Sequence, residues 1–190
     1  MSLRPCVNYD TIAHLYDSRP YREKTVDPEL LAFVAQRAPM AVLSILDVGC
    51  GTGNQVVANR TVVPSARWVA RDQSLGMLRQ AQPKVPDLAW IQADSATLPL
   101  QAQSFDFITC QYAFHHVQDK AGMLREVLRV RRPGCSLRSR RAAAGKRAGR
   151  GAHFPGAHGS SLFRHHSGRE VDRLCLTYHR RAFCTGCWTQ

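Results

Sequence analysis

No run in this 190-residue chain is long and apolar enough to cross a bilayer, and the first residues lack the apolar stretch of a secretory signal. Seven cysteines, an odd number scattered along the chain, do not suggest a disulfide framework, so a cytoplasmic protein is expected. Acidic residues are scarce, 14 against 26 Lys and Arg, and the net charge is +12. The deficit is local. Residues 1–134 hold 15 basic and 12 acidic side chains, whereas residues 135–190 hold 11 and 2. Nucleic-acid binding is therefore not expected of the first part, and the last 56 residues pose a separate question. A glycine at position 54 is missing as well. The dinucleotide fingerprint GxGxxG is replaced by GxGxG over Gly49–Gly53, with Asn54 where the last glycine would stand, which argues against a nicotinamide or flavin dinucleotide.

What is present is one domain's worth of core, at 44% hydrophobic residues, organised around a single feature. Val42, Leu43, Ile45, Leu46 and Val48 form the near-continuous apolar run of a parallel strand buried on both faces, and it opens directly into Gly49-Cys50-Gly51-Thr52-Gly53. Bare glycine backbone lets a ligand lie against amides at the start of the following helix, where negative charge is favoured. Asp72 follows a second strand-like stretch, Arg67–Arg71, at the distance where such folds place a ribose-binding acid; a helix-capping acid is the alternative. Leu88–Ser95 reads as a third strand and Phe105–Cys110 as a fourth, which leads into Gln111-Tyr112-Ala113-Phe114-His115-His116. That is the carboxyl end of a central strand, where open α/β sheets hold ligands.

Helix signals frame these strands. Asp27-Pro28-Glu29 begins a scaffold helix bearing Leu30, Leu31, Phe33 and Val34, and Asp119 begins another whose Met123, Leu124, Val127 and Leu128 recur at helical spacing. Val62-Val63-Pro64-Ser65 shortens the helix after the glycine loop. The expected fold is α/β, a doubly wound parallel sheet with central strand order three, two, one, four and the ligand at the switch point above strands one and four.

LDVGCGTG, with Asp72, Ser74, Met77 and Leu78 after the second strand and Asp94-Ser95 after the third, resembles the class I S-adenosylmethionine-dependent methyltransferases of the ubiquinone-biosynthesis-like, type 11 kind. The resemblance implies a Rossmann-like fold and transfer of a methyl group from S-adenosylmethionine to a small-molecule acceptor. It implies cofactor contacts at Asp47, Gly49, Cys50, Gly51, Gly53, Asp72, Gln73, Met77, Asp94, Ser95 and Gln111, with Asp94 toward the adenine amino group unless it merely caps a turn. Tyr16 and Arg19 match an opening helix that serves as a lid, or that simply packs on the core. Where the acceptor must lose a proton, His115 or His116 is the nearest base. Arg71 departs from the pattern, because an apolar residue is usual there.

The resemblance stops at Pro133-Gly134. Residues 1–134 are expected to be the cofactor-binding core and 135–190 a basic, low-order tail, with the later strands missing or degenerate. Arginine, alanine, glycine, histidine and cysteine bias in that tail is what out-of-frame translation of GC-rich coding DNA produces. The other readings are a methyltransferase-like protein without catalysis, and a basic tail that binds nucleic acid or an anionic surface weakly. Cys175, His179, Cys184 and Cys187 contain one CxxC but no spacing of a common zinc module, and no metal is expected.

Overall fold

The computed structural model describes residues 7–18, 23–37, 42–140 and 160–163. Strand β1 (Ser44–Val48) is buried at every position because it lies in the middle of the sheet. It pairs in parallel with β2 (Arg67–Asp72) on one side and β4 (Phe105–Gln111) on the other. Strand β3 (Ala89–Gln92) continues the sheet beyond β2, and β5 (Arg131–Arg140) continues it beyond β4, both in parallel. The order is β3-β2-β1-β4-β5, with β6 (Ser160–Phe163) added antiparallel to β5. The expected central order three, two, one, four is therefore present.

Helices cover both faces. On one, α2 (Pro28–Val34), α3 (Asn54–Arg60) and α4 (Leu75–Ala81) bury Leu30, Val56 and Leu78 against Ile45, Ala70 and Phe107. On the other, α5 (Lys120–Val130) buries Met123, Leu124, Val127 and Val130 against Leu46, Phe105 and Ile108. The caps read from sequence are formed: Asp27 accepts from the Glu29 amide at 3.0 Å and Asp119 from the Gly122 amide at 2.7 Å. Helix α3 has only seven residues, as the Val62–Ser65 interruption predicts.

One expectation is corrected. A fifth strand exists, so residues 135–140 belong to the sheet and not to a tail beginning after Gly134. The arginines of this segment had argued against a strand, yet β4 without a neighbour would leave a row of open backbone groups, and backbone pairing does not depend on side-chain identity. Leu137 supplies an apolar contact to the core. The poor fit of Pro133-Gly134 shows as a break in register between the Phe105–Arg131 and Phe107–Ser136 pairs. Residues 141–159 and 164–190, including Cys175, His179, Cys184 and Cys187, lie outside the described residues, as does Arg19.

Candidate active site

At the carboxyl ends of β1, β2 and β4 the chain encloses a cavity of about 320 Å³, in the size range of small-molecule sites. Its floor is the turn after β1. The Gly49 and Cys50 amides both donate to the Arg71 carbonyl, at 2.8 and 3.1 Å, which welds the loop to the end of β2. Gly49 has φ +78°, and a Cβ there would collide with the Ala113 side chain. Gly53 has φ +79° and a Cβ there would meet the Trp90 ring at 2.6 Å. Gly51 differs from both: nothing lies within 4 Å of where its Cβ would be, so the loop leaves open room above it.

Asp72 closes the loop from β2. Its Oδ2 accepts from the Gly51 amide at 2.8 Å and its Oδ1 from the Ser74 amide at 2.9 Å. Each carboxylate oxygen carries two acceptor sites, so one remains on each oxygen for vicinal hydroxyls. Ser74 in turn caps α4 by accepting from the Met77 amide, which fixes Met77 on the cavity wall.

Toward β1 and β4 the lining is acidic and incompletely satisfied. Asp47 is 2% exposed, and its Oδ1 has no hydrogen-bond partner. Burial, then the neighbouring charges of Asp72 and Asp27, pushes its carboxyl up to about 7. Gln111 donates from Nε2 to Asp27 Oδ2, leaving its own Oε1 unpartnered. Asp27 also receives structural support from Asn59, whose Oδ1 accepts from the Asp27 amide at 2.8 Å. Helix α2 is thus more than the scaffold its sequence suggests, because its capping residue holds a side chain of the cavity. Two buried orphan acceptors beside bare glycine backbone fit a ligand that brings an ammonium or other donor group.

The N-terminal segment lies over the opening. Helix α1 (Tyr9–Ile12) is followed by a 3₁₀ segment, Ala13–Ser18. Asp10 Oδ1 accepts from Ser74 Oγ at 2.8 Å and from the Gly76 amide at 2.6 Å. The Gly76 amide and then Ser74 hold the Asp10 carboxyl below its usual range. Asp17 accepts from Thr52 Oγ1 at 2.7 Å and from Asn54 Nδ2 at 2.9 Å, and pairs with Lys84. Burial pushes the Asp17 carboxyl up, but Lys84, Thr52 and Asn54 outweigh it and hold the group low. Tyr9 shares a 2.8 Å hydrogen bond with His116 Nε2 on the opposite wall. Partial burial, followed by the charge of Lys120, holds the His116 pKa below its ordinary value, which favours the neutral ring.

The cavity gathers Asp47, Gly49, Cys50, Gly51, Asp72, Gln73, Met77, Ser95, Gln111, Tyr16 and His116 from the residues singled out in the sequence. Three others do not line it. Gly53 is the capping residue of α3 packed behind the loop, His115 stacks on His116 with ring centroids 3.8 Å apart, and Asp94 caps a turn by accepting from the Ala96 amide at 2.9 Å. Tyr9, Asp10, Lys24 and Tyr112 are among the lining residues to which the sequence reading gave no cofactor role. Tyr112 has φ +60°, a rare conformation for an aromatic residue, and Lys24 Nζ sits 4.3 Å from its ring centroid. Tyr112 lies in the stretch after the fourth strand that the sequence places at the ligand end of the sheet, whereas nothing in the sequence singles out Lys24.

A parallel sheet in the order β3-β2-β1-β4-β5, with a glycine loop after β1 and an acid ending β2 at a shared cavity, defines a Rossmann-like methyltransferase fold. Residues 45–134 match the family described as "Methyltransferase domain", and they form a class I S-adenosylmethionine-dependent methyltransferase domain. The chain is 34% identical over 106 residues to a demethylmenaquinone methyltransferase of Roseiflexus sp. (strain RS-1), covering 55% of this chain and 44% of that protein. It is 31% identical over 139 residues to a malonyl-[acyl-carrier protein] O-methyltransferase of Xylella fastidiosa (strain M23), covering 68% and 46%. The chain thus spans about half the length of the curated relatives it matches. Among solved structures, an S-adenosylmethionine-dependent methyltransferase from Aquifex aeolicus superposes with a TM-score of 0.60 at 25% identity, covering 74% of this chain and 76% of that one. Among the described residues, no helix is long and apolar enough to cross a membrane.

Proposed function

We propose that this protein transfers a methyl group from S-adenosylmethionine to a small-molecule acceptor admitted under the N-terminal segment. The observation that carries the proposal is the pair of buried, unpartnered acceptors, Asp47 Oδ1 and Gln111 Oε1, beside the open space above Gly51. In this reading Asp47 and Gln111 take the ammonium end of the cofactor, Asp72 the ribose hydroxyls, and Met77 and Ser95 the sides of the nucleoside, with Asp94 and Gln73 nearby. When bound, the cofactor supplies a methyl group already activated on a sulfonium sulfur. The chain's share is alignment and exclusion of water by the segment that Asp10, Asp17 and Tyr9 hold down.

For an acceptor bearing an O–H or N–H, the Tyr9–His116 pair is the proton acceptor: the Tyr9 oxygen takes the proton as its own moves to His116 Nε2. His115 is then a stacking support for His116. Tyr9→Phe and His116→Ala are expected to lower turnover by about 10²–10⁴-fold while S-adenosylhomocysteine binding, measured by calorimetry, stays within about threefold. Equal turnover in both variants would remove the pair from the mechanism. The names of two relatives give the first acceptors to assay, a demethylmenaquinone analogue and malonyl-acyl carrier protein. A cytoplasmic location belongs to the same reading, supported by the free buried thiols of Cys50 and Cys110. Stoichiometric S-adenosylhomocysteine binding with no turnover of any acceptor would favour a binder without catalysis.

A further inference from the structure

Strand β2 carries one residue that the core around it does not explain. Arg71 is 4% exposed and, by strand alternation, shares the sheet face of Val69, which packs with Leu98, Cys110 and Phe114. One terminal nitrogen, Nη2, donates to the Ala93 carbonyl at 2.6 Å at the end of β3, whereas Nε has no partner. Among the described residues Arg71 forms no ion pair, although burial, which lowers its pKa, makes its charge costly. The nearby carboxylates of Asp72 and Asp94 favour the charged form and offset part of that cost, but an apolar side chain would fill this slot with no such cost to offset. Yet Arg71 lines the same cavity as Asp72 and Ser95.

The position fixes what the spare donor faces. Asp47 and Gln111 stand over β1 and β4, and Asp72 ends β2. A ligand whose ammonium lies at the first pair and whose ribose lies at Asp72 extends its base, one glycosidic bond further, over the ends of β2 and β3. Arg71 spans that gap, from its own strand to the Ala93 carbonyl. A purine presents three ring-nitrogen acceptors there and, in adenine, one exocyclic donor. We infer that Arg71 reads the nucleobase, donating from its unpartnered Nε–H to a ring nitrogen of adenine, so that a buried cation sets base specificity at a strand position where an apolar residue would suffice for folding.

This inference rests on the cofactor reading above. The test is calorimetric binding of S-adenosylhomocysteine and of its analogues in which ring nitrogen 1, 3 or 7 is replaced by C–H, to the full chain and to Arg71→Met and Arg71→Lys. In the parent protein one analogue should bind about ten- to a hundredfold more weakly than S-adenosylhomocysteine, and the other two much as it does. Arg71→Met should bind S-adenosylhomocysteine with that same deficit and lose nothing further with that analogue, while Arg71→Lys, which retains a donor, should recover part of the difference. Equal binding of all three analogues by the parent protein overturns the inference, whether or not the variants fold. So does an analogue penalty that persists unchanged in Arg71→Met, because a residue that merely tethers Ala93 would weaken every ligand alike. Absence of any S-adenosylhomocysteine binding to the parent protein would instead overturn the cofactor reading itself.

Discussion

Asp47 is a carboxyl group that folding makes more basic, and the direction of its effect on stability follows from that. Its pKa rises from an ordinary 3.8 to about 7 in the folded protein, so between those values the folded state holds more proton than the unfolded one. Its contribution therefore declines as pH rises from about 4 to about 7 and stays unfavourable above. Asp47→Asn is expected to flatten that slope and to raise the melting temperature at pH 8 by about 5 °C, read by thermal unfolding across pH. The same change removes the negative charge of the proposed ammonium site and brings an amide NH2 donor into it, so S-adenosylhomocysteine affinity should fall at least tenfold. A variant that gained no stability at pH 8 would mean that the buried carboxylate is not costly. Gly49→Ala acts through geometry: the positive φ and the Ala113 side chain both oppose a methyl group, and a loss of about 1–3 kcal/mol is expected by chemical denaturation. Residues of this kind were legible because glycine spacing and a strand-terminal acid signal backbone geometry. The contact of Lys24 with the Tyr112 ring was not, since it depends on a fold that brings positions 24 and 112 together.

Among elements, α1 and β5 show opposite relations to their sequences. Helix α1 has four residues, none of them buried, and is too short to be stable by itself; its position depends on Asp10 reaching Ser74 and Gly76 across the cavity. Asp10→Ala should leave the melting temperature within about 2 °C, because the core is untouched, yet expose the N-terminal segment to limited proteolysis even with S-adenosylhomocysteine present. Protection equal to that of the parent protein would show that Asp10 does not hold the segment. Strand β5 forms although its arginine-rich composition argues against it, because the open flank of β4 offers it partners. Helix α5 and strand β1, by contrast, were readable at once, since their burial patterns are carried by their own apolar residues. What sequence periodicity misses is an element stabilised by its neighbour.

For the whole molecule, that dependence predicts where the chain can be shortened. A chain ending at residue 163 retains β5 and β6 beside β4, whereas one ending at residue 130 leaves β4 as a bare edge. The first is expected to stay monodisperse in light scattering with unchanged S-adenosylhomocysteine affinity, and the second to aggregate. Aggregation of both would show that covering the flank of β4 is not what keeps the chain monodisperse. The comparison also bears on the basic C-terminal residues: unchanged binding after their removal would separate them from the cofactor site, whatever their reading frame.

The N-terminal clasp has a consequence in time. Asp10 and Asp17 bond to residues that follow them by 64 to 67 positions, as well as to the nearer glycine loop. During synthesis this segment therefore cannot dock until β1, β2 and α4 exist to receive it. Under the proposed function, the same bonds would have to open for a nucleoside beneath them to leave. On that reading, a change that loosens the clasp should hasten both release of the nucleoside and undocking of the segment.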